Sequence, residues 1–154
     1  MVGLMKTLGY GIGVAMLSAG SLLADVSIWS AEKASKAVQA GELILLDIRA
    51  PAEWAATGVA QGAWPLDLQN KAFAQQLQTV LSRNKDREIG FICATGARSA
   101  YVVKYLDKVG VKHSIDVSEG MNGSRAGAGW VKDGLPVVSA KAALNAMPHD
   151  LVAK

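Results

Sequence analysis

The sequence predicts a single α/β domain built on a mainly parallel sheet, and three observations carry that prediction. Leu43-Ile44-Leu45-Leu46-Asp47-Ile48 and Ile89-Gly90-Phe91-Ile92-Cys93 are apolar runs without polar alternation, the pattern of strands covered on both faces. Segments with helical spacing alternate with these runs, as in strand–helix–strand units. The chain has 154 residues, of which 51% are hydrophobic and 19% charged, enough for one domain with its own core and too apolar for global disorder.

Composition also excludes classes of function. The formal net charge is +3, with the basic residues scattered, so no nucleic-acid footprint is present and no nucleic-acid partner is expected. A single cysteine rules out an intramolecular disulfide and a multi-cysteine zinc site. The two histidines, His113 and His149, lie far apart in the chain, and no metal or cofactor is expected.

From the N-terminus, Met5-Lys6-Thr7-Leu8 is a basic opening, and an apolar run from Gly9 to Leu23 carries no charge before Asp25. This is the pattern of a secretory signal peptide over residues 1–24, with an uncleaved N-terminal anchor as the alternative. The run is short for a spanning helix and is diluted by Gly9, Gly11, Gly13 and Gly20. Export, to a bacterial periplasm, is therefore expected, with membrane association only if the segment is retained. The domain is predicted over residues 25–139, followed by a tail over 140–154.

Within the domain, Ser30 is placed to cap a helix over 31–40, which Gly41 ends. Asp47 and Arg49 close the first apolar strand, and Pro51 opens a short helix that Thr57-Gly58 stops. Ala63-Trp64-Pro65-Leu66 is extended. Asn70 is read as the cap of a helix that places Phe73, Leu77, Val80 and Leu81 on one face. Arg83 to Arg87 is a charged turn. After the strand ending at Cys93, a helix beginning near Arg98 carries Val102, Val103, Leu106 and Val109 and ends at Gly110. Lys112 to Val117 is the next strand, a loop with Glu119 and Gly120 follows, and a weak helix is read over 125–130. Gly134 to Val138 is a turn and an extended piece, with weak helical character over 142–147.

In a parallel sheet, sites form outside the carboxyl ends of the strands. Asp47 to Arg49, Cys93 to Arg98 and Glu119 to Arg125 are thereby expected on one rim. Cys93 begins a loop of small residues, Ala94-Thr95-Gly96-Ala97, that feeds a helix N-terminus through Arg98 and Ser99. Free amides and the helix dipole at such a place favour a thiolate or another anion. A permanently charged guanidinium suits an oxyanion. Cys93 is accordingly the candidate nucleophile, with Ala94, Thr95, Gly96, Ala97, Arg98 and Ser99 around its sulfur. Asp47 and Arg49 are expected to brace the loop or pair locally, and Glu53 is a candidate partner for Arg49.

Cys93-Ala94-Thr95-Gly96-Ala97-Arg98-Ser99 resembles the active-site loop of rhodanese-like sulfurtransferases. Asp47-Ile48-Arg49 ahead of Pro51 to Trp54, Gly62-Ala63-Trp64-Pro65, and Glu119-Gly120 with Trp130 and Gly134-Leu135-Pro136-Val137 resemble other segments of that family, in the same order over about Ser27 to Val138. The resemblance implies a sheet of about five strands with helices on both faces. It implies that Cys93 takes a sulfane sulfur from a small anionic donor such as thiosulfate and passes it to cyanide, a cellular thiol or a thioredoxin-like protein; a monomer is expected. It also implies that the loop amides hold the persulfide and that Arg98 orients loop and donor. Related phosphatases and arsenate reductases carry one more residue between cysteine and arginine; here four separate Cys93 from Arg98, a ring better suited to one sulfur atom than to a tetrahedral phosphate. A sulfur-carrier or redox-partner module with little thiosulfate activity is the alternative. Two departures bear on the donor. Ala94 stands where many members carry a basic residue, and Val59-Ala60-Gln61 where many carry histidine and proline. Arg125 is the candidate to restore the charge.

Overall fold

The computed structural model describes residues 26–152; the expected signal or anchor over 1–24 lies outside them. Chain order runs β1 (Ser27–Trp29), α1 (Ala31–Gln39), β2 (Leu43–Asp47), α2 (Pro51–Thr57), β3 (Val59–Ala60), β4 (Trp64–Pro65), α3 (Phe73–Arg83), β5 (Glu88–Ile92), α4 (Ala97–Lys108), β6 (Ser114–Val117), β7 (Val137–Val138) and α5 (Ala140–Ala146). Five strands form a sheet in the order β1-β6-β5-β2-β4, and every pairing in it is parallel. β3 and β7 form a separate antiparallel ribbon.

The continuous apolar runs are explained by what covers them. Every residue of β2 is buried, and alternation divides its side chains between two cores. Leu43 and Leu45 meet Ala34 and Ala37 of α1, Trp54 of α2 and Ala143 of α5 on one face. Ile44 and Leu46 meet Phe73, Leu77 and Val80 of α3 and Val102, Val103 and Leu106 of α4 on the other. Each such side chain contributes about 1.5–3 kcal/mol when fully buried. The α5 segment and the turn after it belong to both cores, through Ala143 on one face and Met147 and Leu151 on the other.

Ser30 accepts the N–H of Lys33 at 3.1 Å and starts α1 as its sequence position predicts. One strand is new and two expectations are corrected. β1 is a strand at the sheet edge, paired with β6, where the sequence offered only three residues. Asn70 accepts the N–H of Ala72 and so closes the turn before α3, whose own cap position, Ala72, has no side-chain bond. No helix forms over 125–130. Ser124 and Gly127 form an isolated antiparallel bridge, and the Gly129 N–H donates to the Glu119 carboxylate, which turns the chain away from a helical path.

Candidate active site

The carboxyl ends of β2, β5 and β6 lie side by side, and the loops that leave them build the site. The chain leaving β5 bends immediately: Gly96, at φ +84°, is the residue before α4, and a Cβ there would stand 2.2 Å from the Ser118 carbonyl oxygen. The loop after β6 clasps this bend. Met121 donates to the Cys93 carbonyl and Asn122 to the Ala94 carbonyl, both at 2.8 Å. The close passage of Gly120, whose Cβ would lie 2.4 Å from the Ala94 oxygen, permits that clasp. Glu119 fixes the clasp in turn by accepting the N–H groups of Ala31 and Gly129.

With the loop carbonyls used in this way, its N–H groups point elsewhere. Among the described residues, those of 94–99 donate to no backbone or side-chain acceptor. Ala97, Arg98 and Ser99 form the first turn of a 12-residue helix, so their amides lack partners by construction and sit at the positive end of its dipole. Cys93 stands at the start of this array and is 1% exposed. Its sulfur lies 3.7 Å from the Ser99 hydroxyl, which is also fully buried.

The charged residues depart from the sequence expectation at Glu53. Arg49 turns back on its own strand: Nε and Nη2 donate to Asp47 at 2.9 and 2.6 Å, and both side chains are fully buried. Its other N–H groups reach Thr57 and the Gly58 carbonyl, so the pair ties the end of β2 to the end of α2 and does not touch Cys93. Glu53, expected beside Arg49, offers that residue only a backbone carbonyl. Its carboxylate instead takes two N–H groups of Arg98, at 2.9 and 2.7 Å, and the Ala50 N–H at 2.9 Å. The Arg98 hydrogen bonds hold the Glu53 carboxyl at about 2, against the opposing effect of burial. Arg98 is raised in return, chiefly by Glu53, with Cys93 adding a smaller contribution. Arg98 thus braces the cysteine loop against α2. Arg125 is exposed and makes no ion pair among the described residues.

A residue the sequence reading passed over completes the site. Asp116, in β6, accepts the Ser99 hydroxyl at 2.6 Å and is 3% exposed. A lone carboxylate in the apolar run Ser114-Ile115-Asp116-Val117 was the available signal. An apolar groove of about 770 Å³ between α3 and α4 is lined by Leu77, Leu81, Tyr101, Tyr105 and Val111 among others and does not include Cys93. No group of three or more potential metal ligands occurs among the described residues.

Comparison with known proteins agrees with this geometry. The family described as the rhodanese-like domain matches residues 30–126. A sulfurtransferase of Allochromatium vinosum is 31% identical over 98 residues, covering 64% of this chain and 80% of that protein. A putative sulfurtransferase of Bacillus subtilis, YtwF, is 37% identical over 82 residues, covering 52% of this chain and 71% of that protein. Among solved structures, the polysulfide-sulfur transferase homodimer of Wolinella succinogenes superposes with a TM-score of 0.56 at 24% identity, over 75% of this chain and 80% of that one. It shares the fold.

Proposed function

The chain belongs to the rhodanese-like family, and we propose that it moves a sulfane sulfur from a small anionic donor such as thiosulfate to a thiophilic acceptor through a persulfide on Cys93. The observation that carries this reading is the set of amides over 94–99 without protein acceptors, beginning at the one cysteine.

In the proposed cycle the Cys93 thiolate attacks the outer sulfur of thiosulfate. The sulfur–sulfur bond of the donor breaks, sulfite leaves with the electron pair, and Cys93 carries an S–S⁻ group. The loop amides and the helix dipole stabilise that charge. Cyanide or a thiolate then attacks the terminal sulfur, leaves as thiocyanate or as a new persulfide, and restores the Cys93 thiolate. Ala94 to Ser99 hold the transferred atom, Arg98 keeps the loop in shape, and Arg125 attracts the donor. The acceptor in the cell is a thiol or a thioredoxin-like protein. The apolar run from Gly9 to Leu23 supports export to a periplasm, and the protein acts as a monomer.

One observation favours a second reading, a sulfur-carrier module with little thiosulfate activity. The loop cation is engaged by Glu53, and Ala94 adds none, so little charge remains for a dianionic donor. Incubation with thiosulfate followed by intact-mass measurement tests both. Gain of one sulfur atom, absent in Cys93→Ser, is expected. Turnover with cyanide then separates the enzyme from the carrier. A Cys93 that resists every thiol reagent in the folded protein removes both readings.

A further inference from the structure

The sulfur-transfer cycle leaves one buried carboxylate without a task. Alternation along β6 sends Ile115 and Val117 into the core beneath α1 and Asp116 to the opposite face, where it meets the first turn of α4. There three side chains stand in line. The Cys93 sulfur lies 3.7 Å from the Ser99 oxygen, and the Ser99 oxygen lies 2.6 Å from Asp116 Oδ1. All three residues are at most 3% exposed.

A hydroxyl has one proton to donate. While Asp116 is ionised, the short contact commits that proton to Oδ1, with the Gly96 carbonyl at 3.1 Å as a second acceptor among the described residues. Ser99 can then only accept from Cys93, which favours the S–H form. When Asp116 is the carboxylic acid, its own proton goes to the Ser99 oxygen. The hydroxyl is then free to donate to sulfur, which favours the thiolate. The two arrangements are isomers. The thiol proton moves to the Ser99 oxygen, the hydroxyl proton moves on to Oδ1, and no proton or electron is gained or lost. We infer that Asp116 is a positioning residue that acts through Ser99, so that Cys93, Ser99 and Asp116 share one mobile proton and the nucleophile is released as Asp116 takes it up.

Burial raises the Asp116 carboxyl, and the Ser99 hydrogen bond only partly opposes this, as such a proton acceptor requires. Among the described residues, Arg98 also acts on Cys93 but is a permanent cation that takes up no proton, and the other neighbouring charges are engaged elsewhere or exposed. β1 carries no titratable group, and Glu88 stands at the far end of β5. On α4, Arg98 is turned to Glu53, Asp107 pairs with Lys112, and Lys104, Lys108, Tyr101 and Tyr105 are exposed. Glu119, in the loop beyond β6, is held by backbone amides.

This inference deepens the proposed function and rests on Cys93 being its reactive group, but its test uses no sulfur donor. The thiolate of Cys93 is followed by ultraviolet absorbance against pH, with Cys93→Ser as the blank. It is read in the unsubstituted protein, Asp116→Asn, Ser99→Ala and the double variant, with circular dichroism as the check of folding. Asp116→Asn should move the titration midpoint down by about one pH unit, the size of one charge-assisted hydrogen bond that Ser99 becomes free to give the thiolate. In the Ser99→Ala background the same substitution should move it by less than half as much. An unmoved midpoint in Asp116→Asn overturns the inference. So does an equal movement with and without Ser99, which would mean a bare field effect. Asp116→Ser serves in place of the asparagine variant if that one does not fold. A protein that titrates as expected yet gains no sulfur from thiosulfate would fail the proposed function and leave this coupling standing.

Discussion

Glu53→Gln tests whether the ion pair with Arg98 holds the cysteine loop in place. The substitution keeps the shape of the side chain and removes its charge. Glu53 titrates at about 2 in the folded protein against an ordinary 4.5, a difference worth about 3 kcal/mol in full. Both side chains are 34% exposed, and solvent screening reduces the contribution to about 1–2 kcal/mol. The melting temperature at neutral pH should therefore fall by about 3–8 °C. The sign with pH follows from a depressed carboxyl. The stabilisation is complete above the unfolded value near 4.5 and is lost as pH falls toward about 2, so the difference between the two proteins should close over that window. A double-mutant cycle with Arg98→Ala isolates the pair: the loss caused by Arg98→Ala should be smaller in the Glu53→Gln background. Equal melting temperatures at neutral pH, or strictly additive losses, would refute the bracing role.

Gly96→Ala should cost about 1–2 kcal/mol for its left-handed backbone, with a further loss from the 2.2 Å approach to the Ser118 oxygen, and sulfur loading of Cys93 should fall more steeply than the urea midpoint. Arg49→Met strands Asp47 in a fully buried site and should cost about 3–5 kcal/mol by urea unfolding; adding Asp47→Asn should recover part of it. Arg125→Ala should weaken use of thiosulfate, more at low than at high ionic strength, with no change in melting temperature, if this exposed cation attracts the donor; salt-independent, unchanged kinetics would remove it from the site.

The central strands were legible because they are buried on both faces, so residues such as Leu43 to Leu46 needed no partner to be recognised. The helix starts at Ser30 and Pro51 were legible because capping is local chemistry. What failed was non-local. β1 has three residues, two of them exposed, and owes its conformation to β6 at the other end of the chain. The β3–β7 ribbon joins two-residue strands that no periodicity can mark. Glu53 was matched to Arg49 because it stands four positions on, across a helix start, but Arg49 is satisfied within its own strand and Glu53 is left to Arg98, 45 residues away. Asp116 was missed for the same reason, since its meaning depends on Ser99, which α4 brings over the same face of the sheet.

The disposition of charge at the site argues for which step the loop serves. A free Arg98 would attract the donor and favour a dianion. Paired at two points with Glu53, it directs its charge mainly there and acts on Cys93 as a smaller contribution, so neutral dipoles, the amides over 94–99 and the start of α4, supply much of the attraction at Cys93. Such dipoles act at short range and are well matched to one anionic sulfur held within the ring. They are poorly matched to drawing a doubly charged molecule from solution, a long-range task that net charge performs. On the proposed function, the loop serves to keep a persulfide more than to capture thiosulfate. A donor that delivers its sulfur by docking, or a cation such as Arg125 outside the ring, would supply what the ring itself does not.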